Sequence, residues 1–184
     1  MKQISEWFND AFFQAVGKAA IIFCLMLVPL LWITNRTSDQ KLTVLFGGVA
    51  AAIAAIQIYY NERRAIADQT HELLSKFNDK EFRIARMNMH RYIEKAEING
   101  GYDVLNDDEK NQLSSVVSMF SYAGVLISKN RIDEKLFLNL WGDVADYSWR
   151  ELSGYMYYRM KKARSQGNQW KYFECLVESA RKNT

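Results

Sequence analysis

His71 and His90 are the two histidines of this 184-residue chain, and the surrounding pattern places them on different helices. His90 and Glu94 stand four residues apart, so a helix carries imidazole and carboxylate on one face, as two ligands of a transition metal would be carried. A metal centre needs further ligands, and no second His/Cys/Asp/Glu pair at ligand spacing occurs. A surface histidine with an intrahelical partner is the preferred reading; no metal and no cofactor is expected. Asp143 and Asp146 have the types for paired-carboxylate acid–base chemistry, yet helix capping and a solvated first turn account for the same spacing. Cys175 has Lys171 four residues back as its nearest base, which predicts a buried, unreactive thiol rather than a nucleophile.

The remaining chemical signal is basic. Arg159, Lys161, Lys162 and Arg164 follow Tyr157 and Tyr158 and are candidates for contact with anionic lipid or a partner. Beyond residue 60 the chain holds 20 basic and 18 acidic residues, too even a balance for the dominant basic face of a nucleic-acid binder. Cations at a helix end also complement the helix dipole. No glycine-rich phosphate loop, GxSxG elbow, kinase signature or dinucleotide fingerprint occurs, so the chain is not read as an enzyme, and its catalytic residues are given as none.

The elements that position these residues are helical. After Tyr60, Ile66, Leu73, Leu74 and Phe77 recur toward one side, which predicts a stalk over 61–79 interrupted at Asn78–Asp79. Phe82, Ala85, Met89, Tyr92, Ile93 and Ala96 define a helix ended by Gly100–Gly101. Asn106 caps the next, with Asp107, Asp108 and Glu109 matching its dipole. Asp133 caps a short helix closed near Gly142; Asp143 opens a long one through Trp149 to Arg159–Arg164. Asn168 caps the last, on which Trp170, Phe173 and Val177 share a face with Cys175 or Leu176 beside it. No stretch alternates with period two. The fold class is all-α, with roughly five helices beyond the stalk.

The mean hydropathy of −0.26 averages two unlike parts. Residues 19–33 and 42–60 contain no charged side chain, which predicts a transmembrane hairpin within 19–60, with spans over about 16–33 and 42–60. Lys18 anchors the first and Pro29 bends its end; the second is the weaker signal because it is rich in alanine. Gly47, Ala51 and Ala55, with Gly48 and Ala52 alongside, form a small-residue stripe suited to helix packing against the first span or a second copy of the chain. Ile4, Trp7, Phe8, Ala11 and Phe12 make residues 1–18 an amphipathic lead-in. Acidic Glu6 and Asp10 argue against a cleaved signal peptide. Basic residues outnumber on the terminal side of the hairpin, which predicts both termini in the cytoplasm of a bacterium and the inner membrane as location. Asn35-Arg36-Thr37 matches a glycosylation acceptor of low specificity. Two cysteines supply no disulfide framework.

Two spans followed by KEFRIAR, LSSVVSMFSYAGVLI, RIDEKLFLNLWGDVADYSWRELSGYM and WKYFECL resemble an uncharacterised bacterial membrane-tethered helical family of unknown function, the DUF4760 type. The resemblance covers about 80–184, and its cue is the run from Ile132 to Trp149. It implies a fold and a tether and lends no catalytic residue. The combined expectation is a membrane-anchored, non-enzymatic protein whose helical domain, 80–184, presents an interaction or regulatory surface. Its partners would be the lipid bilayer and a protein or a second copy. The alternative is a membrane-perturbing effector of a defence or toxin-like system whose hairpins oligomerise.

Overall fold

A computed structural model describes residues 38–162 and 170–183. The chain divides into two compact units, Met1–Arg64 and Ala65–Thr184. Among the described residues it is all-α: α1 (Ser38–Phe77), α2 (Lys80–Ile98), a 3-10 turn (Tyr102–Val104), α3 (Asp107–Ser128), α4 (Glu134–Lys162) and α5 (Lys171–Asn183).

The breaks between helices are local chemistry. Asp79 takes an extended backbone and its carboxylate accepts the Glu81 N–H at 2.9 Å, which closes α1 and caps α2. Gly100 (φ +86°) and Gly101 (φ +136°) occupy backbone regions that side chains disfavour, and the Gly101 N–H donates to the Ala96 carbonyl at 2.7 Å. Asn106 forms a complete capping box. Its Oδ1 accepts the Glu109 N–H at 2.8 Å, and Glu109 Oε2 accepts the Asn106 N–H at 2.9 Å. Glu109 also holds Lys95 at 2.8 Å, which fastens the end of α2 to the start of α3; this pairing keeps the Glu109 carboxyl below its ordinary range. Asn130 (φ +52°) ends α3, and Asp133 Oδ1 accepts the Leu136 N–H at the start of α4. Buried Thr70 links α1 to that start: its hydroxyl donates to the Ile66 carbonyl at 2.7 Å and accepts the Asp133 N–H at 2.9 Å.

Within Ala65–Thr184, α5 packs against α3 and α4, and α2 lies against both as well. Every helix sends aromatic rings to one core. Phe77 of α1 sits 5.0 Å from Phe82, 5.2 Å from Phe120 and Phe137, and 4.9 Å from Trp141, between ring centroids. Phe120 stacks on Phe173, which Trp149 meets edge-on. Offset and edge-to-face contacts of this kind add to what burial alone supplies. Gly124 lets α5 approach α3: a Cβ there would lie 2.0 Å from the Tyr172 carbonyl oxygen.

Three expectations are corrected. The break at Gly142–Asp143 does not occur, and α4 is one continuous helix of 29 residues, which lowers the number of α-helices after the stalk to four among the described residues. Gly142 is a packing residue, since a Cβ would meet Ala180 of α5 at 3.4 Å. Cys175 is exposed, because α5 buries Phe173, Leu176, Val177 and Ala180 and position 175 turns away from that stripe.

The third correction concerns location. Among the described residues no helix is long and apolar enough to cross a membrane, which overturns the two-span inner-membrane assignment. Alanine or glycine fills seven of the 19 positions in 42–60, and these residues favour a helix or a close approach while offering little apolar area. The same helix then runs on without a break through Asn61, Glu62, Arg63 and Arg64. The expected first span, 16–33, and the lead-in 1–18 lie outside the described residues. Of the small-residue stripe, Gly47, Ala51 and Ala55 are exposed while Gly48 and Ala52 are half-buried.

Candidate functional site

An open cleft of about 480 Å³ lies where the first two turns of α3 meet the last two turns of α4. Lys110, Asn111 and Ser114 line it from α3, with Asp107 at its edge; Tyr155, Tyr158, Arg159 and Lys162 line it from α4. The α4 residues fall at i, i+3, i+4 and i+7, one face of a helix, and Lys110 and Ser114 are one turn apart on theirs. The capping box at Asn106 starts α3 at the position that brings these residues to the cleft.

Two polar networks shape it. Buried Tyr155 donates its hydroxyl to the Lys110 carbonyl at 2.9 Å and stands 2.9 Å from Ser114 Oγ, which reaches the same carbonyl at 2.6 Å. Arg159 Nη1 donates to Ser114 Oγ at 2.7 Å. At the other end, Tyr158 OH donates to Asp103 Oδ1 at 2.5 Å and Lys162 Nζ donates to the same oxygen at 2.7 Å. The hydrogen bonds from Lys162 and Tyr158 hold the Asp103 carboxyl below its usual range, and Asp103 in turn raises the Lys162 ammonium. Lys162 also lies over the Tyr158 ring, 5.4 Å from its centroid. Tyr102 packs 5.4 Å from both Tyr155 and Tyr158, and its hydroxyl reaches α4 at Gly154, where a Cβ would lie 2.8 Å away. Burial raises the Tyr102 phenol above its ordinary value.

Two of the four basic residues singled out from the sequence, Arg159 and Lys162, line this cleft. Lys161 is exposed and is not among its lining residues, and Arg164 lies outside the described residues. Lys110, Ser114 and Tyr155 were not anticipated. The signal for Tyr155 was present in the i, i+3, i+4, i+7 spacing of tyrosines and cations from 155 to 162, whereas α3's contribution depends on packing across more than 40 residues.

The other singled-out residues do not converge. His90 Nδ1 pairs with Glu151 Oε2 at 2.9 Å, joining α2 to α4; Glu94 acts on it only through charge. The hydrogen bond to Glu151 raises the imidazole above its ordinary value. Asp146 holds Arg181 at 2.7 Å and Arg150 at 3.2 Å, so it clamps α5 to α4 rather than opening a helix. Asp143 is exposed within α4. His71 is exposed on α1. Among the described residues no group of three or more His, Cys, Asp or Glu could hold a metal ion. Arg86 lies 4.9 Å over Trp141, and burial lowers its guanidinium from the ordinary value.

Comparison with family models matches residues 42–180 to a domain of unknown function (DUF4760). No curated protein matches the chain. No solved structure matches it either.

Proposed function

The chain belongs to the family described as Domain of unknown function (DUF4760), and we propose that it is a non-enzymatic helical interaction module that binds a partner protein through the α3–α4 cleft. The observation that carries this reading is the cleft's composition and form. Its volume is in the range of ligand sites, roughly 300–1,000 Å³, but a small-molecule site is usually enclosed and mostly apolar. This one is open and lined by tyrosine, arginine and lysine. Tyrosine and arginine are the side chains that concentrate binding energy at protein interfaces, because each combines a broad contact face with a directional polar end. The near balance of 20 basic and 18 acidic residues beyond residue 60 favours a protein partner over nucleic acid. A membrane-perturbing effector would need spanning helices, and among the described residues no helix is long and apolar enough to cross a membrane, so that reading is not adopted.

Site-specific photo-crosslinking in cells tests the proposal. A photoreactive residue at Asn111, which lines the cleft, or at Lys161, adjacent in sequence to the lining residue Lys162, is compared with one at Lys129, just past the far end of α3. An adduct of one mass at Asn111 and Lys161 and absent at Lys129 is expected. Equal crosslinking at all three positions, or none at any, overturns the reading.

A further inference from the structure

We infer that the group this cleft receives is a carboxylate on an acidic peptide segment, seated on Arg159. The inference rests on the interaction-module reading and adds the chemistry of the ligand.

The argument begins with which cations are already committed. Lys162 is neutralised by Asp103 at 2.7 Å. Lys110 Nζ donates to the Asp103 carbonyl at 3.5 Å, and its charge acts on the Asp103 carboxylate as well. Arg159 is exposed and, among the described residues, makes no ion pair; its one hydrogen bond goes to Ser114 Oγ. A guanidinium presents several N–H donors in a planar fork, so most of them remain for a ligand.

Arg159 is also held in place. Ser114 Oγ is itself tied to the Lys110 carbonyl and to the hydroxyl of buried Tyr155, so the arginine leans on an acceptor that the core positions. Holding a long side chain ready in this way reduces the ordering cost of binding. A planar fork fixed at one nitrogen matches a carboxylate through two parallel N–H···O bonds. The local charge favours a carboxylate over the double charge of a phosphoryl group, because Asp107 lines the same cleft and would repel a dianion more strongly. Half-buried Tyr158 forms the aromatic side against which the peptide's aliphatic stems can pack. Ser114 and Tyr155 are positioning residues here; Arg159 is the contact.

The test is an NMR titration of the full chain with a blocked tetraglutamate peptide at low salt. Shifts are expected at the Arg159 Nε–H and at the amides of Lys110, Ser114 and 155–162, with a dissociation constant on the order of a millimolar for so short a probe. Arg159→Gln is expected to weaken binding about tenfold and Arg159→Glu more, with Arg159→Lys between wild type and Arg159→Gln. Tyr155→Phe is expected to weaken it about threefold by loosening the arginine's support. Far-UV circular dichroism checks that each variant is folded. Equal binding of tetraglutamine, no tetraglutamate binding, or indifference to Arg159→Glu overturns the inference, as does tighter binding of a phosphoserine peptide or of phosphatidylglycerol vesicles. If cleft crosslinks persist in Arg159→Glu, the module reading stands and the carboxylate assignment alone falls; if they are absent in wild type, the module reading falls.

Discussion

Helix α4 passes through two aromatic regions that use rings for opposite purposes. Near its start, Phe137 and Trp141 join Phe77, Phe82 and Phe120 in a dry cluster; near its end, Tyr155 and Tyr158 meet Tyr102 beside Ser114, Asp103 and Lys162. Phenylalanine and tyrosine differ by one hydroxyl group, yet a buried hydroxyl must be satisfied, and satisfying it draws in carbonyls, carboxylates and cations that keep the region polar. One end of the helix therefore carries an apolar core cluster and the other a polar network beside the cleft.

That contrast makes Phe77→Ala the most damaging single change. Phe77 is fully buried and touches four other rings, and its loss is expected to cost about 3–5 kcal/mol in denaturant unfolding. Arg159→Gln at the cleft is expected to leave the unfolding midpoint in place; comparable destabilisation by the two would erase the distinction between the regions. Gly124→Ala comes next, at about 1–3 kcal/mol or more, because the added methyl meets the backbone of α5 rather than a side chain able to turn aside. A neutral result in a thermal melt would mean that α5 does not seat on α3 as described.

Asn106→Ala removes the cap that starts the cleft-bearing end of α3 and is expected to cost about 1 kcal/mol, with Asn106→Asp or Asn106→Ser restoring most of it. The smallest effect is pH-dependent. Glu151 raises the folded-state His90 value above its unfolded one, so the pair's contribution is fully present below about pH 6.5 and is lost as pH rises through the folded value. Melts of wild type and His90→Gln should differ at about pH 5.5 and converge by about pH 9. Identical differences at both ends would show that His90 and Glu151 do not pair in solution. The carboxyls of Asp103 and Glu109 work in the other direction: their folded values are lowered, so what they contribute is present above the ordinary carboxylate range and fades as pH falls through those folded values.

Helix boundaries set by neighbouring residues were legible in advance. Asn78–Asp79, Gly100–Gly101 and the cap at Asn106 all act within a few residues, and the structure places breaks at each. At Gly142 an interior glycine and a following aspartate imitate a helix end, yet α4 runs on through them and the glycine lies against Ala180 of α5. Cys175 was misplaced because the face of a short helix depends on which neighbouring helices it meets. Helical spacing pairs His90 with Glu94, whereas its hydrogen-bond partner Glu151 lies 61 residues away. The lack of charge over 42–60 predicts a span, whereas among the described residues no helix is long and apolar enough to cross a membrane.

By itself, then, the order of residues determined an all-α fold among the described residues, the caps and breaks at Asn78–Asp79, Gly100–Gly101 and Asn106, and the basic, tyrosine-bearing end of α4, since each depends on interactions within a turn or two. Only the tertiary structure decided that α4 is one helix, that Ser114 and Lys110 face Arg159, and that Asp103 occupies Lys162 while Arg159 remains uncommitted among the described residues. Those facts depend on helices meeting across 40 to 60 residues of sequence, where side-chain shape and backbone approach select partners that no local pattern encodes.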